Sequence, residues 1–357
     1  MKKLRVGVIY GGRSGEHEVS IASAASIIKH LDRGRYEAVP IHIAKDGRWA
    51  LAAHAPTAIS AADVHKQAAT DALQPIEPTA AVSSGAVDVV FPVLHGPYGE
   101  DGTVQGLLEL ANVAYVGSGV LGSAVGMDKA AMKTMFAAAG LPIVPHLVVL
   151  RREWQNDARA ITHGVANELK YPVFVKPANL GSSVGISKAK SDAELVAAME
   201  LALQFDRKIV IEAGVPNARE IECAVLGNDD PQASLPGEIV PSGEFYDYNA
   251  KYIDGSSTEI IPAKLSPAHV RDIQRLAIEA FRAVECAGMA RVDFLLARDS
   301  GEMYLNEVNT IPGFTKISMY PKMWEASGLK YSDLIDRLIT LALERHAEKQ
   351  QLRTSVT

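Results

Sequence analysis

Cysteine is nearly absent from these 357 residues, with only Cys223 and Cys286 present. Two thiols cannot build a disulfide framework, and the count fits a reducing compartment. Positive charge is not in excess either: Lys and Arg number 36 against 42 Asp and Glu, a formal net charge of −6. That balance excludes the basic surface with which proteins hold nucleic acid or anionic lipid, so neither is expected as a partner. Long apolar runs are also lacking. The longest uncharged window, Leu110 to Met127, holds Asn112, two serines and four glycines, and cannot cross a bilayer as an apolar helix. After the basic start Met1-Lys2-Lys3-Leu4-Arg5, the apolar stretch Val6 to Tyr10 stops at two glycines. It is too short for the core of a signal peptide and reads as a first buried strand. A soluble cytoplasmic protein is expected.

What is present suffices for several cores. Hydrophobic residues make up 48% and charged residues 22%, and a prior of about 150 residues per domain predicts two or three domains. The strand Val6–Tyr10 leads through Gly11-Gly12 into a helix with apolar positions Ile21, Ala24, Ala25, Ile28 and Leu31. Further strands follow at Val39–Ile43 and Val87–Phe91, the opening of an open α/β sheet. Residues 52 to 81 are Ala-rich with three prolines and read as surface connections and short helices. Beyond residue 120 the pattern changes. Asp128 to Ala139 reads as a short helix stopped by Gly140 and Pro142, and strands are expected at Pro172–Lys176, Lys208–Glu212 and Glu220–Val225. Ser191 and Ser266-Pro267 open later helices.

The strongest chemical signal is Arg291-Val292-Asp293 with Glu307-Val308-Asn309. Both segments alternate like strands across the turn-rich Ala297 to Gly301, so Arg291 and Asp293 share one face, as do Glu307 and Asn309. Paired, they gather a cation, two carboxylates and an amide oxygen, hard ligands of the kind that suit Mg²⁺ beside nucleotide phosphates. A solvated hairpin with ordinary salt bridges is the plainer alternative. Lys176 ends a strand before Asn179-Leu180-Gly181-Ser182-Ser183-Val184-Gly185, which reads either as a phosphate clamp or as a simple turn. His95-Gly96-Pro97-Tyr98-Gly99-Glu100-Asp101-Gly102 is a shaped loop after a strand. There His95 either faces a ligand or is satisfied by backbone. The irregular stretch from Leu235 to about Leu265 carries three tyrosines in Tyr246-Asp247-Tyr248-Asn249-Ala250-Lys251-Tyr252 and reads as a lid or a packed surface loop. No P-loop string, dinucleotide fingerprint or zinc spacing occurs.

Taken together these residues resemble the D-alanine–D-alanine ligase family, a branch of the ATP-grasp ligases. The resemblance rests on His95-Gly96-x-x-Gly99-Glu100-Asp101-Gly102 and on Arg291-Val292-Asp293 with Leu305-x-Glu307-Val308-Asn309-Thr310-x-Pro312-Gly313. Gly11-Gly12-x-Ser14-x-Glu16-x-Glu18-Val19-Ser20 and the Tyr-Asp-Tyr-x-x-Lys-Tyr string also match, in the family's order and over about residues 5 to 321. The resemblance implies an α/β protein of three-domain ATP-grasp architecture. An N-terminal open parallel α/β domain (1–121) is followed by a central subdomain (122–212) and a C-terminal subdomain (213–357), with a lid at about 235–265. Two antiparallel sheets would sandwich ATP.

The same resemblance implies an ATP-dependent ligase that makes D-alanyl-D-alanine through an acyl phosphate for peptidoglycan precursors, assembled as a homodimer. Asp293, Glu307 and Asn309 would hold two Mg²⁺ ions, with Mn²⁺ able to substitute. Lys129, Lys176 and Lys251 would contact ATP phosphates, and Glu212 and Glu220 would read the adenosine. Glu16 would receive the ammonium of the first D-alanine, linked to the lid through Ser182 and Tyr252. His95 would lie with the substrates, Arg291 and the Gly313 backbone would stabilise the tetrahedral intermediate, and Ser318 would bind the second carboxylate. One departure stands out: Lys316 and Ile317 replace the serine and histidine of many relatives. The alternatives are a D-alanyl-D-serine or D-alanyl-D-lactate ligase, and a non-catalytic nucleotide-binding module. Tyr252 favours D-alanine, and no metal ligand or Arg291 is missing as such a module would require.

Overall fold

The computed structural model describes residues 2–58, 60–66, 73–83, 85–240, 257–315 and 317–353. Lys251, Tyr252, the rest of 241–256 and Lys316 lie outside the described residues.

The first sheet runs, in spatial order, through Leu73–Pro75, Trp49–Ala52, Tyr36–Ile43, Leu4–Gly11, Val89–Val93 and Ala114–Tyr115. The last four strands are parallel. Residues 6–11 of the central strand are buried without interruption, because helices or other chain cover both faces of a parallel sheet. The sheet is not wholly parallel, however. Trp49–Ala52 and Leu73–Pro75 pair antiparallel on one edge, where residues 52 to 81 had suggested only connections and short helices. Strands of three or four residues with a terminal proline carry too little alternation to be read from sequence, and an edge tolerates the missing N–H.

The second sheet is antiparallel, in the order His146–Leu150, Lys208–Ala213, Val173–Pro177 and Ser187–Ala189. The helix Lys129–Ala138 leads into it, with Asp128 accepting from the backbone of Ala130 and Ala131 at 3.1 and 3.0 Å. The third sheet is also antiparallel, with Thr258–Ile260, Gly237–Val240, Ala218–Gly227, Gly288–Ala297 and Met303–Asn309 in line. The two ends of the expected irregular stretch are therefore ordered as a short pair, Gly237–Val240 with Thr258–Ile260. Behind this sheet packs the helix Pro267–Ala283, whose Ser266 cap accepts from His269 N at 3.2 Å. Its buried face is Ile273, Ala277, Ala280 and Phe281.

The cores are divided unevenly. One cluster joins Val6, Val8 and Phe91 of the first sheet to Phe314, Tyr320 and Leu338 near the C-terminus, and the Phe91 and Phe314 rings meet edge to face at 5.7 Å. The second sheet keeps its own cluster around Val173, Val175, Ile209 and Ile211. Among the described residues no helix is long and apolar enough to cross a membrane.

Two glycines give opposite expectations. Gly11 lies at φ +92°, and a Cβ there would stand 2.2 Å from the Ile43 carbonyl oxygen. Gly106, inside the helix Thr103–Leu110, has nothing within 4 Å of such a Cβ. Gly11→Ala should therefore destabilise by more than about 2 kcal/mol, whereas Gly106→Ala should stabilise by up to about 1 kcal/mol. Thermal unfolding midpoints moving in opposite directions would bear this out. A neutral Gly11→Ala would contradict the geometry.

Candidate active site

The first strand ends at Gly11 and turns into the helix His17–His30. That turn is pinned from several sides. Gly11 N donates to Ser20 Oγ at 2.8 Å, Ser20 Oγ donates to the Val93 carbonyl, and His17 Nδ1 donates to the Gly12 carbonyl at 2.7 Å. Glu16, at the helix start, does not use its side chain as a cap. Its buried carboxylate instead accepts a hydrogen bond from Ser182 Oγ in the glycine–serine loop. A Cβ on Gly181 would stand 3.1 Å from Glu16 Oε2, so glycine lets that loop close on the carboxylate.

The loop after Val89–Val93 brings in His95 and Glu100, both buried. His95 Nδ1 donates to the Ile311 carbonyl at 3.0 Å, and Nε2 has no hydrogen-bond partner among the described residues. Burial lowers the imidazole pKa against the pull of Glu16. Glu100 Oε1 accepts from Gly96 N at 2.8 Å. Burial first, and then the charge of Glu16, push the Glu100 carboxyl up to about 8.

The second sheet and the helix Lys129–Ala138 supply the lysines. Strand pairing sets Lys176 opposite Val210 and Glu212 opposite Phe174, so the two charged side chains lie on a diagonal of one face. Lys176 Nζ donates to Glu212 Oε2 at 2.7 Å and to Asn306 Oδ1 at 3.3 Å. The other Glu212 oxygen faces Lys133 Nζ at 3.0 Å. Burial raises the Glu212 pKa, but Lys176 and Lys133 outweigh it and hold the carboxyl at about 2. Lys129 is buried with its Nζ on the Leu180 carbonyl at 2.7 Å, and burial depresses its pKa. Glu220 sits on the strand Ala218–Gly227 of the third sheet, near enough to support the charge of Lys176.

The expected hairpin pairs Arg291 with Asn309 and Asp293 with Glu307. Arg291 grips Asp293 with two hydrogen bonds, Nε to Oδ1 at 2.8 Å and Nη2 to Oδ2 at 2.7 Å, and lies 3.3 Å from Glu222 Oε2. A β-bulge between Asp293 and Phe294 then shifts the register to pair Phe294 with Leu305. The bulge re-phases the strand. Leu305 joins the core with Val308, while Asn306 reaches Lys176. Gly313 and Ser318 are also together: a Cβ on Gly313 would stand 2.7 Å from Ser318 Oγ, which accepts from Thr315 N at 2.9 Å. Ile317 is exposed.

Thus Glu16 and Ser182 meet directly, as do Lys176 and Glu212, and Arg291, Asp293, Glu307 and Asn309 share one hairpin face. Lys251 and Tyr252 lie outside the described residues. Sequence reading missed Lys133, Glu222 and Asn306. Lys133 was discoverable as the helical i+4 neighbour of Lys129, and Glu222 as the i+2 strand neighbour of Glu220. Asn306 depends on the bulge and carries no local signal. Among the described residues no three His, Cys, Asp or Glu side chains are grouped as around a metal ion. The hairpin donors are two carboxylates and an amide, and opposed like charges call for a cation between them. In chemistry the set fits Mg²⁺.

Two antiparallel α+β units meeting at Lys176 and Asn306, beside an open α/β unit, define the class of ATP-grasp ligases. Family models described as D-ala D-ala ligase N-terminus and C-terminus match residues 5–118 and 135–340. The chain belongs to the D-alanine–D-alanine ligase family. It is 52% identical to the D-alanine--D-alanine ligase of Heliobacterium modesticaldum over 361 residues, covering 99% of this chain and 98% of the relative. The D-alanine-D-alanine ligase structure from Coxiella burnetii matches with TM-score 0.86 and 40% identity over 98% of this chain and 97% of that one. The VanG D-Ala:D-Ser ligase structure from Enterococcus faecalis matches with TM-score 0.84 and 35% identity, covering 96% of this chain and all of that one.

The Glu100 carboxyl gives a pH test. Its folded pKa lies above the ordinary carboxyl value, so the ligand-free fold binds this proton more tightly than the unfolded chain. Its contribution to stability should be present below the ordinary carboxyl range and be lost as pH rises through about 8. Between pH 5.5 and 8.5 the thermal midpoint of Glu100→Gln should fall less than that of the parent. Parallel curves would mean that Glu100 is ionised throughout.

Proposed function

We infer that this chain joins two D-alanine molecules into D-alanyl-D-alanine with ATP as co-substrate, releasing ADP and phosphate. The observation that carries the reading is the Glu16–Ser182 hydrogen bond. It draws the start of the first helix onto the loop that follows Lys176, beside the buried lysines. A small zwitterion and a polyphosphate can be held next to each other there.

In the first half-reaction a carboxylate oxygen of the first D-alanine attacks the γ-phosphorus, and the bond to the ADP oxygen breaks. In the second, the amine of the second D-alanine, having lost a proton, attacks the acyl phosphate carbonyl. The C–N bond forms, and phosphate leaves. Both steps crowd anions together, so the chain must supply positive charge where it builds up. Lys129 and Lys176 serve the phosphates, with Lys251 a third by resemblance. Glu212 and Glu220 lie at the nucleoside end. Glu16, oriented by Ser182, receives the first ammonium, and His95 Nε2 offers a further acceptor. Arg291, held flat by Asp293, and the Gly313 backbone face the tetrahedral intermediate, and Ser318 receives the second carboxylate. Asp293, Glu307 and Asn309 would hold Mg²⁺, which when bound neutralises phosphate charge.

The test is phosphate release with ATP, Mg²⁺ and D-alanine, with products identified by mass and with D-serine and D-lactate offered in competition. D-alanyl-D-alanine should dominate; a mixed product in excess would select one of the related ligases, and no turnover would select a binding module. In the same assay Glu307→Gln should keep the native circular dichroism but lose about hundredfold or more in rate. Near-normal release at saturating Mg²⁺ would overturn the ligand assignment.

A further inference from the structure

Lys133 has no part in the scheme above, yet it is 0% exposed. The helix Lys129–Ala138 projects Lys129 and, one turn later, Lys133 from the same side. Lys129 goes to the Leu180 carbonyl, whereas Lys133 goes to Glu212. One buried carboxylate is thereby divided between two ammonium groups, Lys133 on Oε1 at 3.0 Å and Lys176 on Oε2 at 2.7 Å. Stability alone does not explain the arrangement, because a buried ion pair is often no better than apolar packing of the same volume.

Charge counting does explain it. Lys176 with Glu212 alone is a neutral pair, and a neutral pair has little attraction for a polyphosphate. With Lys133 on the second oxygen, the trio carries one net positive charge. Lys176 can then turn part of its charge toward an anion while Glu212 remains compensated. We propose that Lys133 is a positioning residue for nucleotide phosphates: it holds Glu212 so that the ammonium of Lys176 stays available to the ATP polyphosphate. The proposal rests on the reading of Lys176 as a phosphate ligand.

The measurement is the ratio of the dissociation constants of adenosine and ADP in Mg²⁺, by calorimetry, since this ratio isolates what the phosphates contribute. Lys133→Met should lower the ratio about tenfold, the scale of one charge-assisted hydrogen bond, with adenosine affinity within about twofold of the parent. Glu212→Gln keeps an acceptor oxygen but removes the negative charge, and should raise the ratio. The double variant Lys133→Met/Glu212→Gln, which leaves Lys176 with its full charge, should return the ratio to near the parent value. A merely structural role would not be rescued in this way. An unchanged ratio in Lys133→Met, equal weakening of adenosine and ADP, or a double variant as low as the single would each overturn the proposal. Should Lys133→Met not fold, a lower ratio in Glu212→Gln overturns it, because Glu212 would then only be aiming Lys176. Lys176→Met separates the two readings: a flat ratio there removes the phosphate role of Lys176 itself, whereas a fall there with none in Lys133→Met removes only the role of Lys133.

Discussion

Three charges taken out of water together, Glu212 with Lys133 and Lys176, dictate how the central unit is built. Desolvating each ion costs several kcal/mol, and only close mutual contact offsets that. The contact demands three things of the chain. The helix Lys129–Ala138 must start where Asp128 caps it, so that its fifth position, Lys133, faces Glu212. The strands Val173–Pro177 and Lys208–Ala213 must pair in the one register that sets Lys176 diagonal to Glu212. The carboxylate must stay ionised, which the two lysines secure by holding it at about 2. A one-residue slip in that pairing would turn Lys176 to the other face and leave Glu212 with half its compensation.

The third unit faces the converse problem, an excess of negative charge. Glu222, Asp293 and Glu307 lie in register across three neighbouring strands, an arrangement that like charges oppose. Arg291 relieves part of it by gripping Asp293 and standing beside Glu222, and the same contacts hold its guanidinium flat against the site. Lysines on one wall and carboxylates on the other suit a ligand that carries both phosphate and metal charge. Neither wall would be favourable as a purely structural surface.

The division of the cores bears on how such a ligand is reached. The first and third units share one apolar cluster, so Glu16, His95 and Arg291 are carried on a common body. The second sheet has its own core and meets that body through Ser182 to Glu16 and Lys176 to Asn306, whereas the helix Lys129–Ala138 packs Met132 and Phe136 into the core of the third sheet. Polar seams between separately cored units are where relative motion is expected. In the proposed reaction the substrate carboxylate and the γ-phosphate would meet at this seam, approached from both sides of it.

This division also accounts for what could be read without coordinates. Periodicity of two placed Arg291 with Asp293, and Glu307 with Asn309, each pair on one face of its own strand, because those facts are local to each strand. Three of the four parallel strands were legible as short apolar runs, whereas the two-residue strand Ala114–Tyr115 was not. Sequence could not give the bulge after Asp293, since both phases of Met303–Asn309 contain enough apolar residues to look regular. Yet the bulge alone sends Leu305 into the core and Asn306 to Lys176. Nor could it give the pairing of Lys133 with Glu212, residues of opposite charge 79 positions apart. In sequence Lys133 is an ordinary polar position of a short helix, and hydropathy counts a lysine as solvent-facing. Its burial follows from a carboxylate on a strand formed much later in the chain. Spacing from Lys129 places Lys133 on a helix face, but no local pattern shows which carboxylate the fold buries it against.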